Sequence, residues 1–372
     1  MIPEIVLMIC WITCIACAVI HLGFYLFTFT RLSLYKPNEG KGSKQPVSLI
    51  ICAKNEMNNL RKFLPVWMEQ EYHDYEVIVV NDCSWDETEE FLKEEKKKYP
   101  LLKVVTIPEQ DKYRHGKKFA VALGIKAAKN EVLLFTDADC TPAGKNWIEL
   151  MQGSYVNSTE IVLGYGATTK EKGFLNRMIR FDVFQIAMQY FSFALAGNAY
   201  MGVGRNLSYK KEMFFRTKGF ARHNHLFSGD DDLFVNENAT STNTTVQINP
   251  MSFTFTEAKK TFGDWLKQKS RHGTTSKYYK GKHKFQLGLL GISNLMFFLL
   301  LITLLILRYE WKAVLLLYGI KLMMQWIVSF GAAKRLHERD ILWLYPLHEL
   351  LYTFLQPVFY LSSLFTKQQV WK

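Results

Sequence analysis

VLLFTDADCTP, residues 132–142, is an apolar run that stops at two acids, Asp137 and Asp139. A strand covered on both faces reads as an unbroken hydrophobic stretch, and Val132 to Phe135 reads that way. In an open α/β sheet, ligands bind just beyond the carboxyl ends of the strands. The two carboxylates therefore stand where a ligand would.

Working outward, apolar runs alternate with amphipathic ones. VSLIICA (47–53) reads as a buried strand and NEMNNLRKFLPVWMEQ (55–70) as a helix. YEVIVVN (75–81) is a second strand, followed by the turn DCSWDET and a charged helix to about Lys98. LKVVTIP (102–108) is a third strand, GKKFAVALGIKAAK (116–129) a helix and EVLLFT (131–136) a fourth strand. This alternation predicts βαβ units and a mostly parallel sheet with helices on both faces.

Polar residues able to hold a ligand follow each strand: Lys54, Asn55 and Glu56; Asn81 and Asp82; His115, Gly116 and Lys117; Asp137 and Asp139. One such acid is usually a helix cap or a solvated turn. Four sets in register along one sheet edge are harder to dismiss. Two acids one residue apart offer hard oxygen ligands, which suit Mg²⁺ or Mn²⁺ rather than zinc. A Gly-Lys at a helix start offers backbone N–H groups and an ammonium to phosphates. A carboxylate such as Asp82 can accept the imide N–H of uracil or an amine of another base. The set suits a nucleoside diphosphate held through its metal.

In this order the pieces VSLIICAKNE, VVNDCSWDET, HGKKFAVALGIKAAKNEVLLFTDAD, GRNLSYKKEMF, GDDDLF and KQKSRH resemble the family 2 glycosyltransferases of GT-A fold, over roughly residues 46–275. The resemblance implies an inverting transferase using a nucleotide-sugar donor. It implies that Ala53, Glu56 and Asp82 hold the nucleoside and that Lys117 lies near the pyrophosphate. Asp137 would face the ribose or metal, Asp139 would be the principal metal ligand, and Gly204, Arg205 and Asn206 would close over the donor sugar. SGDDDLF (228–234) matches the acceptor-side acids, one of which acts as general base. Alignment on the preceding glycine points to Asp231, alignment on the following Leu-Phe to Asp232, and both stay open. KQKSRH (267–272) resembles a Q-x-x-R-W motif through Gln268 and Arg271, with His272 where tryptophan is usual. Arg271 can clamp phosphate or the acceptor; a histidine would stack on an acceptor sugar less well.

The rest of the 372-residue chain points to a membrane. Residues 5–29 carry no Lys, Arg, Asp or Glu over a length that can cross a bilayer. Residues 285–307 are a stronger span, 313–333 a third that carries Lys321, and 341–365 a doubtful fourth interrupted by Pro346, His348, Glu349 and Pro357. The doubtful one reads as a kinked span or a re-entrant hairpin. MIPE has no basic side chain, whereas Arg31, Lys36, Lys41 and Lys44 follow the first span, KYYKGKHK precedes the second and KRLHER follows the third. The positive-inside rule then predicts an outside N-terminus and a cytoplasmic central segment. The expected organisation is a helix at 1–30, a catalytic domain with interfacial helices at 31–284, and a membrane domain of two or three helices at 285–372. Residues 173–195 read either as helices in the membrane interface or as core helices.

The net charge of +12 flanks the spans and forms no stripe with interleaved aromatics, which disfavours nucleic acid. Six cysteines, three of them in the first span, suggest neither disulfides nor a metal cluster. Too few spans for a polymer channel, together with His272, favour transfer to a lipid or lipid-linked acceptor over processive polysaccharide synthesis. A nucleotidyl- or phosphotransferase would leave SGDDDLF and KQKSRH without roles. Donor base and sugar, acceptor, protein partners and oligomeric state are not read from the sequence.

Overall fold

The structure is a computed structural model that describes residues 3–37, 42, 44–108 and 116–366. Strands β1 (Val47–Ala53), β2 (Tyr75–Asp82), β3 (Leu102–Ile107) and β4 (Val132–Asp137) form where they are predicted. All residues of β1 and β2 are buried, so these strands need no polar face. Their side chains alternate into two cores. Ile50, Cys52, Ile78 and Val80 face one side; Leu49, Ile51, Val77 and Val79 face the other.

The first crossover helix, Met57–Met68, buries Leu60, Phe63, Leu64 and Trp67. The second, Thr88–Lys98, has Glu89 and Glu90 in its first turn and three lysines in its last, matching the helix dipole. Lys117–Ala127 completes the set.

After β4 come β5 (Thr141–Pro142), β6 (Ile161–Gly164), β7 (Gly166–Thr168), β8 (Leu207–Lys210), β9 (Thr244–Gln247) and β10 (Thr254–Thr256). The main sheet runs β3-β2-β1-β4-β8-β6-β9, and β5-β10-β7 form a small second sheet. β1 to β4 are mutually parallel, while β8 is antiparallel to both β4 and β6. The fold is therefore a mixed, mostly parallel sheet covered by helices, as expected.

Phe174–Leu195 is one continuous helix, buried along most of its length. It packs as a core helix. Among the described residues, three helical stretches are long and apolar enough to cross a membrane: Glu4–Leu34, Gly281–Ile306 and Trp311–Arg335. The first passes through a π-helical turn at Tyr25–Phe29. Residues 341–365 divide into a 3₁₀ segment, Arg339–Leu344, and a helix, Tyr345–Phe365, that contains Pro357.

Candidate active site

The register of β1 assembles the site. Ala53 lies opposite Asn81 of β2, and Cys52 lies opposite Asp137 of β4. Asp82 and Asp137 thus end on either side of the β1 terminus. The loops beyond are tied together: the Asn55 N–H donates to Ser84 Oγ at 2.9 Å, and the Trp85 N–H donates to Asn55 Oδ1 at 2.9 Å. Asp82 is buried. Burial pushes the Glu56 carboxyl up; Asn59 opposes this through a hydrogen bond, and the charges of Asp139 and Asp137 add to it. Those three carboxylates share one electrostatic environment.

Lys117, the first residue of its helix, joins this edge to the acid loop. Its Nζ lies 2.7 Å from Asp137 Oδ1 and 3.4 Å from Asp230 Oδ2. Burial opposes charge on both Lys117 and Asp137. Their mutual attraction outweighs it, so the lysine is held well above its usual value and Asp137 below its own. The Gly204 N–H donates to Asp231 Oδ2 at 2.7 Å, and the Asp232 N–H donates to Asp231 Oδ1 at 2.7 Å. Burial, then the charges of Asp230 and Asp232, push the Asp231 carboxyl up to about 7, against the pull of Lys117. Cys52, Lys117, Asp137, Gly204, Asp230 and Asp231 line one cleft.

Two expected site residues turn away from it. Asp232 is buried, and its Oδ1 accepts the Leu233 N–H. Its Oδ2 accepts from Thr275 and, at 2.8 Å, from the Tyr279 hydroxyl. With both oxygens engaged, it anchors the segment after helix Phe262–Gly273 and does not present a free carboxylate. Asn206 is wholly buried; its Oδ1 accepts from Trp147 Nε1 at 3.1 Å, and its Nδ2 donates to the carbonyls of Tyr165 and Ser252. It pins its loop from below. A Cβ on Gly164 would stand 2.4 Å from the Asn206 side chain, so only glycine admits that contact. Arg205 lies across Gly166 in the same way, and its charge bears on Asp137.

Gln268, Arg271 and His272 sit on helix Phe262–Gly273. Arg271 is exposed, and its charge also bears on Asp137. Burial, then the charges of Arg271 and Lys269, hold the His272 imidazole well below its usual value, and Arg205 and Lys117 add to this. His115 lies outside the described residues.

Two further lysines were not singled out in the sequence. Lys118 is buried, donates from Nζ to the His223 carbonyl at 2.8 Å, and is pushed down to about 8 by burial. Lys269 pairs with buried Asp182 of helix Phe174–Leu195 at 2.9 Å. The first hides in a Lys-Lys doublet of which one member reads as a ligand; the second lies inside a motif read for its neighbours.

Ligand atoms of Asp137, Asp139 and Cys140 lie within 4.8 Å of one another. Burial and the two neighbouring carboxylates hold the Cys140 thiol well above its usual value, so it stays protonated beside an oxygen pair. That donor set fits a hard divalent cation.

Residues 48–216 match the glycosyl transferase family 2 model. This stretch is a family 2 glycosyltransferase segment. A mannosyltransferase from Pyrobaculum calidifontis, solved with GDP-Man and Mn²⁺, superposes with a TM-score of 0.57 at 17% identity, covering 92% of this chain and 98% of that one. The family 2 segment thus sits in a chain of GT-A fold. Glycosyltransferase AglE of Haloferax volcanii is 34% identical over 105 residues, 28% of this chain and 33% of that one. The poly-beta-1,6-N-acetyl-D-glucosamine synthase of Staphylococcus epidermidis is 32% identical over 111 residues, 30% of this chain and 25% of that one. The chain spans a third or less of the length of these curated relatives.

Proposed function

We propose that this protein is a membrane-bound, metal-dependent inverting glycosyltransferase. It moves a sugar from a nucleotide-diphosphate donor to a lipid or lipid-linked acceptor at the cytoplasmic face. The observation that carries the reading is Lys117, whose ammonium touches both Asp137 at the β4 end and Asp230 of the acid loop. Phosphate binding and acid-base chemistry then share one cleft. The Mn²⁺ and GDP-Man of the mannosyltransferase neighbour agree with the donor and metal assigned here.

Ala53, Glu56 and Asp82 face the nucleoside, and Lys117 and Arg205 approach the diphosphate. A Mg²⁺ or Mn²⁺ ion on Asp139 and Asp137 would neutralise the departing diphosphate. Asp231 takes the proton from the acceptor hydroxyl as that oxygen attacks the anomeric carbon. The Gly204 and Asp232 N–H groups hold its carboxylate in place. Gln268, Arg271 and His272 meet the acceptor or the pyrophosphate. Basic residues beside the three apolar helices favour a cytoplasmic cleft and an outside N-terminus.

The test incubates detergent-solubilised protein and total lipid extract with radiolabelled nucleotide sugars and Mn²⁺ or Mg²⁺. Label should enter the organic phase and be lost in Asp139→Ala. Label in water-soluble material of high molecular mass would instead favour processive polysaccharide synthesis, the activity in the name of the Staphylococcus epidermidis relative. Transfer of the labelled phosphate rather than the sugar would overturn both.

A further inference from the structure

The helix Tyr345–Phe365 buries most of its polar side chains, beside Phe359, and exposes mostly apolar ones. Tyr345, His348, Glu349, Thr353 and Ser363 lie on its buried face. The Tyr345 hydroxyl is 3.1 Å from that of Tyr25. Glu349 Oε1 accepts from Lys321 Nζ at 3.0 Å and from Gln325 Nε2 at 2.7 Å, and Thr353 Oγ1 accepts from Asn294 Nδ2 at 2.8 Å. The inner face is therefore bonded to all three apolar helices.

The outer face carries Leu347, Phe354, Val358, Leu361 and Phe365, between 37% and 85% exposed. Their spacing of seven, four, three and four residues lays them in one stripe. In water this distribution is upside down, because burial favours the apolar side chains and penalises the charged ones. In hydrocarbon it is the stable one: ionisable groups face the bundle interior and pair there. The three candidate spans carry exposed apolar side chains too, and Trp343, 89% exposed just before the helix, is the residue type found at headgroup level.

We propose that Tyr345–Phe365 is a fourth membrane element whose stripe lies against phospholipid acyl chains, and that it holds helix Phe262–Gly273 at the bilayer surface. The link is direct. The Trp265 and Phe359 rings meet at 5.0 Å, and Ser270 Oγ donates to Ser362 Oγ at 2.6 Å. Gln268 and Arg271 thereby face an acceptor arriving from the lipid. The proposal rests on the three apolar helices being spans and deepens the acceptor assignment made above.

The experiment places a nitroxide at Phe354→Cys, Val358→Cys or Leu361→Cys, with Lys97→Cys as a control and Cys10 and Cys83 replaced by alanine. The full chain is set in nanodiscs of phosphatidylethanolamine and phosphatidylglycerol. Dissolved oxygen should relax the three labels while a water-soluble nickel chelate loses its effect on them, the reverse of the control. Nickel acting at 358 and 361 as it does at 97 would overturn the proposal. So would protection from both relaxants with dipolar broadening, the mark of a second copy covering the stripe. No sugar transfer is measured, so this result and that of the labelled-donor assay stand or fall separately.

Discussion

Asp231 and Asp232, the cap and first residue of helix Asp232–Asn238, turn their oxygens to different partners. Asp231 faces the cleft and is pushed up to about 7. Asp231→Asn should lower kcat by about 10²- to 10⁴-fold, while nucleotide-sugar binding measured by calorimetry changes little. A base must be unprotonated to act, so kcat/KM should rise with pH through about 7 and flatten above it. The same shift has a stability sign. Folded Asp231 holds its proton more tightly than the unfolded chain does, so its contribution to stability falls as pH rises from about 4 toward 7. Asp232→Asn should act on folding instead. It disturbs the bonds from Thr275 and Tyr279 and should cost about 1–3 kcal/mol in a chemical melt. Sequence could pose the choice between the two acids, since both alignments were open. It could not show that Asp232 is engaged, because Thr275 and Tyr279 lie far downstream.

Among the elements, those set by local pattern were the most legible. The four parallel strands and their crossover helices are set by hydrophobic periodicity, and each falls within a few residues of its expected bounds. Polar residues after β1, β2 and β4 were legible as one edge because parallel strands align their ends. The partners of Asn206 were not legible, for the opposite reason. A polar residue in a loop reads as available, yet its amide is spent on Trp147, Tyr165 and Ser252, contacts that exist only in the folded chain. Gly164→Ala tests this: the new methyl meets a side chain held by three hydrogen bonds and should cost about 1–3 kcal/mol, read as a lower Tm. The helix carrying Gln268 and Arg271 has a similar hidden anchor. Lys269→Met strands the buried Asp182 carboxylate and should cost about 3–5 kcal/mol. Adding Asp182→Leu should restore much of the loss, as measured by a double-mutant cycle.

For the whole molecule, the apolar helices of the tail were legible, but their attachment to the sheet-bearing half was not. One part of that attachment is a charge cluster in which Arg180 and Glu338 are buried and Asp340 and Lys170 half exposed. Arg180 of helix Phe174–Leu195 is held by Glu338 and by Asp340, the latter at 2.7 Å, and Lys170 joins Asp340 at 2.9 Å. No periodicity links positions so far apart. Arg180→Met would leave Glu338 without its guanidinium, and it should lower Tm and broaden the transition as the two halves cease to melt together.

The cluster also sets a rule for dissecting the chain. A fragment cut at residue 280 would keep Arg180 and lose both acids, baring the guanidinium together with the apolar surface that the later helices cover. Such a fragment should aggregate through that apolar surface, and Arg180→Met should not rescue it. A tail grafted from another protein would need to bring its own acid pair, making these few side chains the password between the two parts.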